Sequence, residues 1–301
     1  MAASGEAPDV QATADLCPAT HAPLGYFFLD EPPAETIPIP DLRTVGNAGV
    51  SQPSPDLLTT ITLCQQRQEW YRIYAQTNGL EPLPFVGSVA VGQAVEPVAD
   101  QLRRTLRFTF DERARDRSWT DALRRLIDTT EESGILAMVS GIVGNDTGRR
   151  LDVREFRGFA LADPLAPLVF VNGADTKAAQ IFTLLHEVVH VWLGQSALTN
   201  AALDAADSNA TELWCNRVAA EVLVPLNDVR TAYRGSADAA ELDRLARRYK
   251  ASTLVVLRRL FDADFLAWPD YRRRYAEELE RVMGILAATG SGVNIQPVPR
   301  D

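Results

Sequence analysis

Apolar residues along this chain change their spacing several times, and each change marks an element. From Asp56 to Asn78, Leu57, Leu58, Ile61, Leu63, Trp70 and Ile73 supply the apolar positions of a helix, and Asn78-Gly79 is a fitting stop. A second helix is predicted over Val95 to Leu106. A third runs from Trp119 to Glu132, with Ser118 as its cap, Leu123, Leu126 and Ile127 as its buried stripe, and Gly134 where a left-handed C-terminal residue belongs. Beyond Gly134 the runs shorten. ILAMVSGIV, FRGFALAD and PLVFVNG, parted by turns such as Gly144-Asn145-Asp146 and Asp163-Pro164, predict three strands of one small sheet. Helical spacing returns from Lys177 to Leu193, capped by Asp175 or Thr176 and closed by Gly194, with Phe182, Leu185, Val189 and Leu193 on one stripe. The Ala- and Asp-rich stretch Asn200 to Asn209 predicts a loop, Thr211 to Val224 a helix that stops before Pro225, and the final third further charged helices.

The ends follow neither period. Met1 to Pro23 is rich in Ala, Asp, Pro and Thr, which predicts a flexible arm, and Thr289 to Asp301 has the Gly and Pro content of a loose tail. The prolines of EPPAE, IPIPD and QPSP, between Asp30 and Pro55, forbid regular helix and favour an extended strap over another surface.

Composition narrows the function classes. With 301 residues, 46% apolar and 23% charged, the chain is long enough to bury a sizeable core. A formal net charge of -10 repels phosphate backbones and anionic membrane surfaces, so autonomous nucleic-acid binding is disfavoured. Three scattered cysteines, Cys17, Cys64 and Cys215, form neither a disulfide framework nor a CxxC metal site, and a reducing compartment fits them best. With no basic segment leading into an apolar one at the N-terminus, and no uncharged run long enough to span a bilayer, the expected location is the cytoplasm.

The chemistry concentrates in His186-Glu187-Val188-Val189-His190. Histidines four apart on a helix lie one turn above each other and offer two imidazole nitrogens to one cation. Glu187 leans over the same position, where a carboxylate takes a proton from water acidified by zinc and later delivers it to a leaving amine. Chance explains the pattern poorly, because the whole chain holds only three histidines. A catalytic zinc wants a third protein ligand. His21 sits in the arm, and the carboxylates downstream are Asp204, Asp207, Glu212 and Glu221. Glu212, in the first turn of the next helix with Asn216 one turn later on the same face, is the preferred ligand, although a carboxylate there equally answers the helix dipole. Cys215 reads as a small buried apolar group.

FTLLHEVVHVWLG followed by ELWCNRVAAEVLVP resembles the ImmA/IrrE family of metallo-endopeptidases. In that family the Glu opening the E-x-x-[AC]-N-x-x-A-A block completes a His, His, Glu zinc site, which the resemblance carries onto His186, His190 and Glu212, with Glu187 catalytic. Softer matches, from YFFLDEPPAETIPIPDLRT through GILAMVSG to LARRYKASTLVVLRRL, extend it over most of residues 24 to 262. The resemblance implies an α+β, zincin-like metallopeptidase domain: a small mixed sheet plus the HEVVH helix, with flanking helical segments. The expected organisation is an arm over 1–23, a strap and helical segment over 24–115, the metallopeptidase core over 116–230, a helical region with helix-turn-helix character over 231–288, and a tail over 289–301. Many long members carry a helix-turn-helix domain ahead of the YFFL segment. The two dozen residues here carry no such pattern, so either this member lacks the domain or the chain start is truncated.

The cofactor implied is zinc, with manganese able to replace it in vitro. Family members cut helix-turn-helix repressors, often encoded by the adjacent gene, and so release transcription in mobile elements or stress responses; a repressor is the expected partner. Zincins receive an extended substrate on a sheet edge, which makes the Pro167 to Gly173 strand a candidate for β-augmentation. Tyr233, Tyr249 or an arginine are candidates to stabilise the oxyanion. Arg244, Arg247, Arg248, Lys250, Arg258 and Arg259 form a basic cluster within Glu241 to Leu260, for which packing of Leu242, Leu245, Leu254, Val255 and Leu257, with the arginines solvated or paired, is the stronger reading than DNA contact. The alternative from another class is a non-proteolytic regulatory or DNA-binding module that uses the zinc only for shape.

Overall fold

The computed structural model describes residues 24–29, 31, 37–41, 53–113, 115–199 and 210–288. The predicted arm, the 200–209 loop and the tail, with His21, Asp204 and Asp207, lie outside the described residues. After a 3-10 turn at Leu24–Phe28 come α1 (Pro55–Thr77), α2 (Val95–Thr105), the single turn α3 (Phe110–Arg113), α4 (Trp119–Glu132), β1 (Leu136–Ser140), β2 (Ile142–Val143), β3 (Asp146–Arg150), β4 (Gly158–Leu161) and β5 (Leu168–Asn172). There follow α5 (Lys177–Leu193), β6 (Ala197–Thr199), α6 (Ala210–Leu223), α7 (Leu226–Ala232), α8 (Ala239–Tyr249), α9 (Thr253–Asp262) and α10 (Trp268–Ala288). The architecture is α+β: a small mixed sheet, the HExxH helix, and flanking helices.

Local chemistry sets the helix ends. Ser118 and Asp121 exchange side-chain and backbone hydrogen bonds in a capping box at the start of α4, and Gly134 just beyond its end has φ +97°. Of the two caps proposed for α5, Thr176 is the one used, its hydroxyl accepting from Ala179 N. One expectation for α1 fails. Leu57 and Ile61 are buried, as is Ala75 near the far end of the helix, but Trp70 and Ile73 are exposed, and Trp70 stacks on Tyr74 instead of entering the core.

The sheet has strand order β1-β5-β4-β6, with β1 parallel to β5 and both other pairings antiparallel. Both of its faces are covered. Val169 and Val171 of β5 join the larger core with α5, while Leu168 and Phe170 join a second core with Leu57, Ile61 and Cys64 of α1. That is why β5 reads as an unbroken apolar run. It also corrects the proposed substrate edge: β5 is hydrogen-bonded on both sides, so the Pro167 to Gly173 strand has no free edge to offer. The outer strands are β1 and β6. The ILAMVSGIV run splits at Gly141, and its second part pairs with the unpredicted β3 as a separate hairpin. The strap meets the sheet at its far side, where Leu198 N donates to Pro40 O at 2.8 Å and Asp41 bridges Leu198 in parallel.

In the helix-turn-helix-like region, Leu242, Leu245, Val255 and Leu257 are buried in the larger core. Arg244 pairs with Glu241, Arg248 with Asp228, Arg258 with Asp262, and Arg259 with Glu221. No helix among the described residues is long and apolar enough to cross a membrane.

Candidate metal centre

The α5 helix is buried on every side from Gln180 to Leu193, so polar groups on it must find partners inside the protein. Four residues there and on α6 are polar, buried and adjacent: His186, Glu187, His190 and Glu212. The i,i+4 spacing brings His186 Nε2 to 3.1 Å from His190 Nε2. Packed across them, α6 presents Glu212 from its first turn, with Oε2 3.2 Å from His186 Nε2 and Oε1 3.1 Å from His190 Nε2. Asn216, one turn on, has its side chain in hydrogen-bond contact with His186. Of the third-ligand alternatives, Glu221 is taken by Arg259 at the other end of α6, and Cys215 is a buried thiol pushed well up by its burial.

This donor set fits a zinc ion. Two neutral imidazole nitrogens and a carboxylate are ordinary zinc ligands, and donors at about 2.0–2.1 Å on a tetrahedron stand about 3.3 Å apart, close to the spacings found. Three buried donor atoms converging this tightly are electrostatically favourable around a cation. Two imidazoles, a planar carboxylate and the apolar walls of α5 do not suit a calcium-type cage of many oxygens.

Glu187 is fully buried and is held from the sheet side. The Thr199 hydroxyl, on β6, donates to its Oε1, while Oε2 has no hydrogen-bond partner among the described residues. Burial pushes the Glu187 carboxyl up to about 8 against the pull of His186 and Thr199. Burial acts the same way on Glu212, but His186 and His190 outweigh it and hold that carboxyl down at about 2. The two carboxylates are thus set apart chemically, one a standing anion and the other able to exchange a proton near neutral pH.

The residues that fix this arrangement were not read from the sequence. Gly158 of β4 passes so close to α5 that an added Cβ would stand 2.8 Å from Glu187 Oε1, 2.7 Å from Thr183 Cγ2 and 2.8 Å from Phe170 O. A glycine inside the FRGFALAD run is a signal of close approach that the sequence did carry. Gly158→Ala is expected to displace the Glu187 carboxylate and to destabilise the fold by about 1–3 kcal/mol, read as a lower denaturant midpoint; an unchanged midpoint contradicts the tight contact. Three arginines from outside α6 also satisfy its C-terminal end: Arg103 donates to Glu221 O, Arg113 to Leu223 O and Arg259 to Val224 O. Of the oxyanion candidates, Tyr249 commits its hydroxyl to Asp228, and Tyr233 lays its ring against Phe265.

No curated protein matches the chain. Residues 130–261 match the model of the Peptidase_M78 family, described as the IrrE N-terminal-like domain, and this segment contains α5, β6 and α6 entire. It is therefore this segment that is similar to a Peptidase_M78, IrrE-like domain, in agreement with the resemblance carried by the HEVVH and ELWCN blocks within it.

Proposed function

We propose that the chain is a zinc-dependent endopeptidase that hydrolyses one peptide bond in a cytoplasmic regulatory protein, a helix-turn-helix repressor, and so releases transcription. The observation that carries this reading is the convergence of His186, His190 and Glu212 beside a buried carboxylate, Glu187, inside a Peptidase_M78 segment. His186 Nε2, His190 Nε2 and Glu212 would hold the ion. Zinc, when bound, supplies a Lewis acid that polarises the scissile carbonyl and acidifies water. Glu187 takes the proton of the attacking water on Oε2, which has no partner among the described residues, and returns it to the amine as the bond breaks. The apolar surroundings of α5 keep bulk water from competing for that proton.

The test incubates the zinc-loaded protein with the repressor encoded beside it and looks for one new N-terminus. Cleavage should stop on chelation and return with zinc, and with manganese in vitro. An intact repressor under zinc-replete conditions counts against the proteolytic reading. Glu212→Ala is expected to cost more than about 100-fold in zinc affinity, since even groups that only orient metal ligands cost 10–100-fold. Stoichiometric zinc retained by that variant after dialysis against a chelator would remove Glu212 from the ligand set.

A further inference from the structure

We propose that Thr199 is the positioning residue of the Glu187 base: its hydroxyl ties Oε1 to strand β6 and leaves Oε2 as the oxygen that exchanges the proton. The inference rests on the peptidase reading and assigns a role within it to a strand that neither motif contains. Thr199 is fully buried, and two acceptors lie within reach of its single hydroxyl proton. The Gly158 carbonyl is at 3.5 Å, the outer limit of a hydrogen bond, whereas Glu187 Oε1 is in direct contact, so the proton goes to the carboxyl oxygen.

The backbone behind Thr199 is fixed from both sides. Residues Ala197 to Thr199 pair antiparallel with Ala160 to Gly158 of β4. On the other side the strap carbonyl of Pro40 accepts from Leu198 N, and Ile39 is buried in the core that contains Leu198. Gly158, opposite Thr199, leaves room for the carboxylate beside β4, since any side chain there would collide with Oε1. Glu187 therefore has one oxygen anchored to the sheet and one without a partner among the described residues, an arrangement that points a lone pair in a fixed direction. A general base acts only within hydrogen-bond reach of its proton, and misplacement by about 1 Å costs on the order of 100-fold.

The test compares Thr199→Val, which keeps shape and strand preference but removes the donor, with Thr199→Ser, which restores the donor. For the valine variant we expect kcat to fall about 10–100-fold, with KM and zinc affinity, the latter by chelator competition, within about twofold of the parent. Serine should recover most of the loss. A second readout is independent of turnover. The carboxylate stretch of Glu187, isolated as the infrared difference between each protein and its Glu187→Gln counterpart, should shift in the valine variant and not in the serine variant. If valine does not fold, Thr199→Ala removes the same donor and the same outcomes apply. Parental kcat in the variant lacking the hydroxyl, or an unshifted carboxylate band, overturns the proposal while leaving the peptidase reading intact. A parent protein that cleaves nothing overturns the peptidase reading instead, whereas a Glu187→Gln variant that cleaves like the parent ends the role of Glu187 as base and this proposal with it.

Discussion

Glu187→Gln is expected to lower kcat by about 10²–10⁴-fold, the range over which a positioned general base contributes, while zinc content stays at the parental level. Glutamine has the shape of glutamate and its Oε1 can still accept from Thr199, but its amide cannot take a proton from water at neutral pH. The metal site should be unaffected, because His186, His190 and Glu212 converge without the help of Glu187. Loss of activity with full zinc occupancy separates chemistry from structure, which loss of a ligand does not. Stability supplies a second check. Burial raises the folded-state pKa of Glu187 above its unfolded value, so its contribution to stability is greatest below the unfolded pKa and is lost as pH rises toward about 8. Glutamine has no such titration, so the metal-free variant should lose less stability between pH 5 and 8 than the metal-free parent. Cleavage at the parental rate by zinc-loaded Glu187→Gln would end the role assigned to this residue.

The largest effect on stability is expected at Arg259. Its side chain is almost wholly buried on α9, where Nη2 pairs with the equally buried Glu221, Nε donates to Val224 O at 2.8 Å, and Nη1 lies 3.2 Å from Asp262. Arg259→Ala leaves Glu221 as a buried carboxylate without the arginine it pairs with and Val224 O without its Arg259 donor. Breaking a buried pair from one side costs about 3–5 kcal/mol, out of a typical total of about 5–15 kcal/mol. Burial pushes the Glu221 carboxyl up even with Arg259 opposing it. The folded state therefore holds the proton to higher pH than the unfolded state, and stability falls as pH rises through the folded pKa. Removing Arg259 moves that pKa further up, so the deficit should be largest near pH 8 and smaller near pH 5. Denaturant melts at the two pH values measure this, and adding Glu221→Gln to the variant should recover part of the loss. A deficit under about 1 kcal/mol at both pH values would mean the pair does not hold α9 to α6.

These two residues also mark where sequence reading stops. Glu187 was legible because its neighbours are local: an i,i+4 histidine pair, a threonine cap and a glycine stop all lie within nineteen residues of one helix, Thr176 to Gly194. Arg259 read as one of a cluster of arginines in a helix-turn-helix-like stretch, since nothing within a few residues indicates that its partner is Glu221, 38 positions earlier. Glu212 lay between these cases. Its place in a first turn suited a ligand and a dipole partner equally, and resemblance, not spacing, chose between them.

By itself the sequence marked the longer helices, the Ser118 cap and the HExxH spacing, because backbone hydrogen bonds within a helix and i,i+4 contacts involve only near neighbours. It also marked β4 and the Leu168 to Val171 part of β5 as apolar runs. Tertiary structure alone decided that β5 is interior and that β6, a three-residue strand too short to show a period, lies between the strap and β4. It alone decided that Trp70 and Ile73 face outward, that arginines from α2, α3 and α9 meet at the end of α6, and that Thr199 reaches Glu187. Each of these is set by how residues distant in the chain pack against one another rather than by the preference of any one segment.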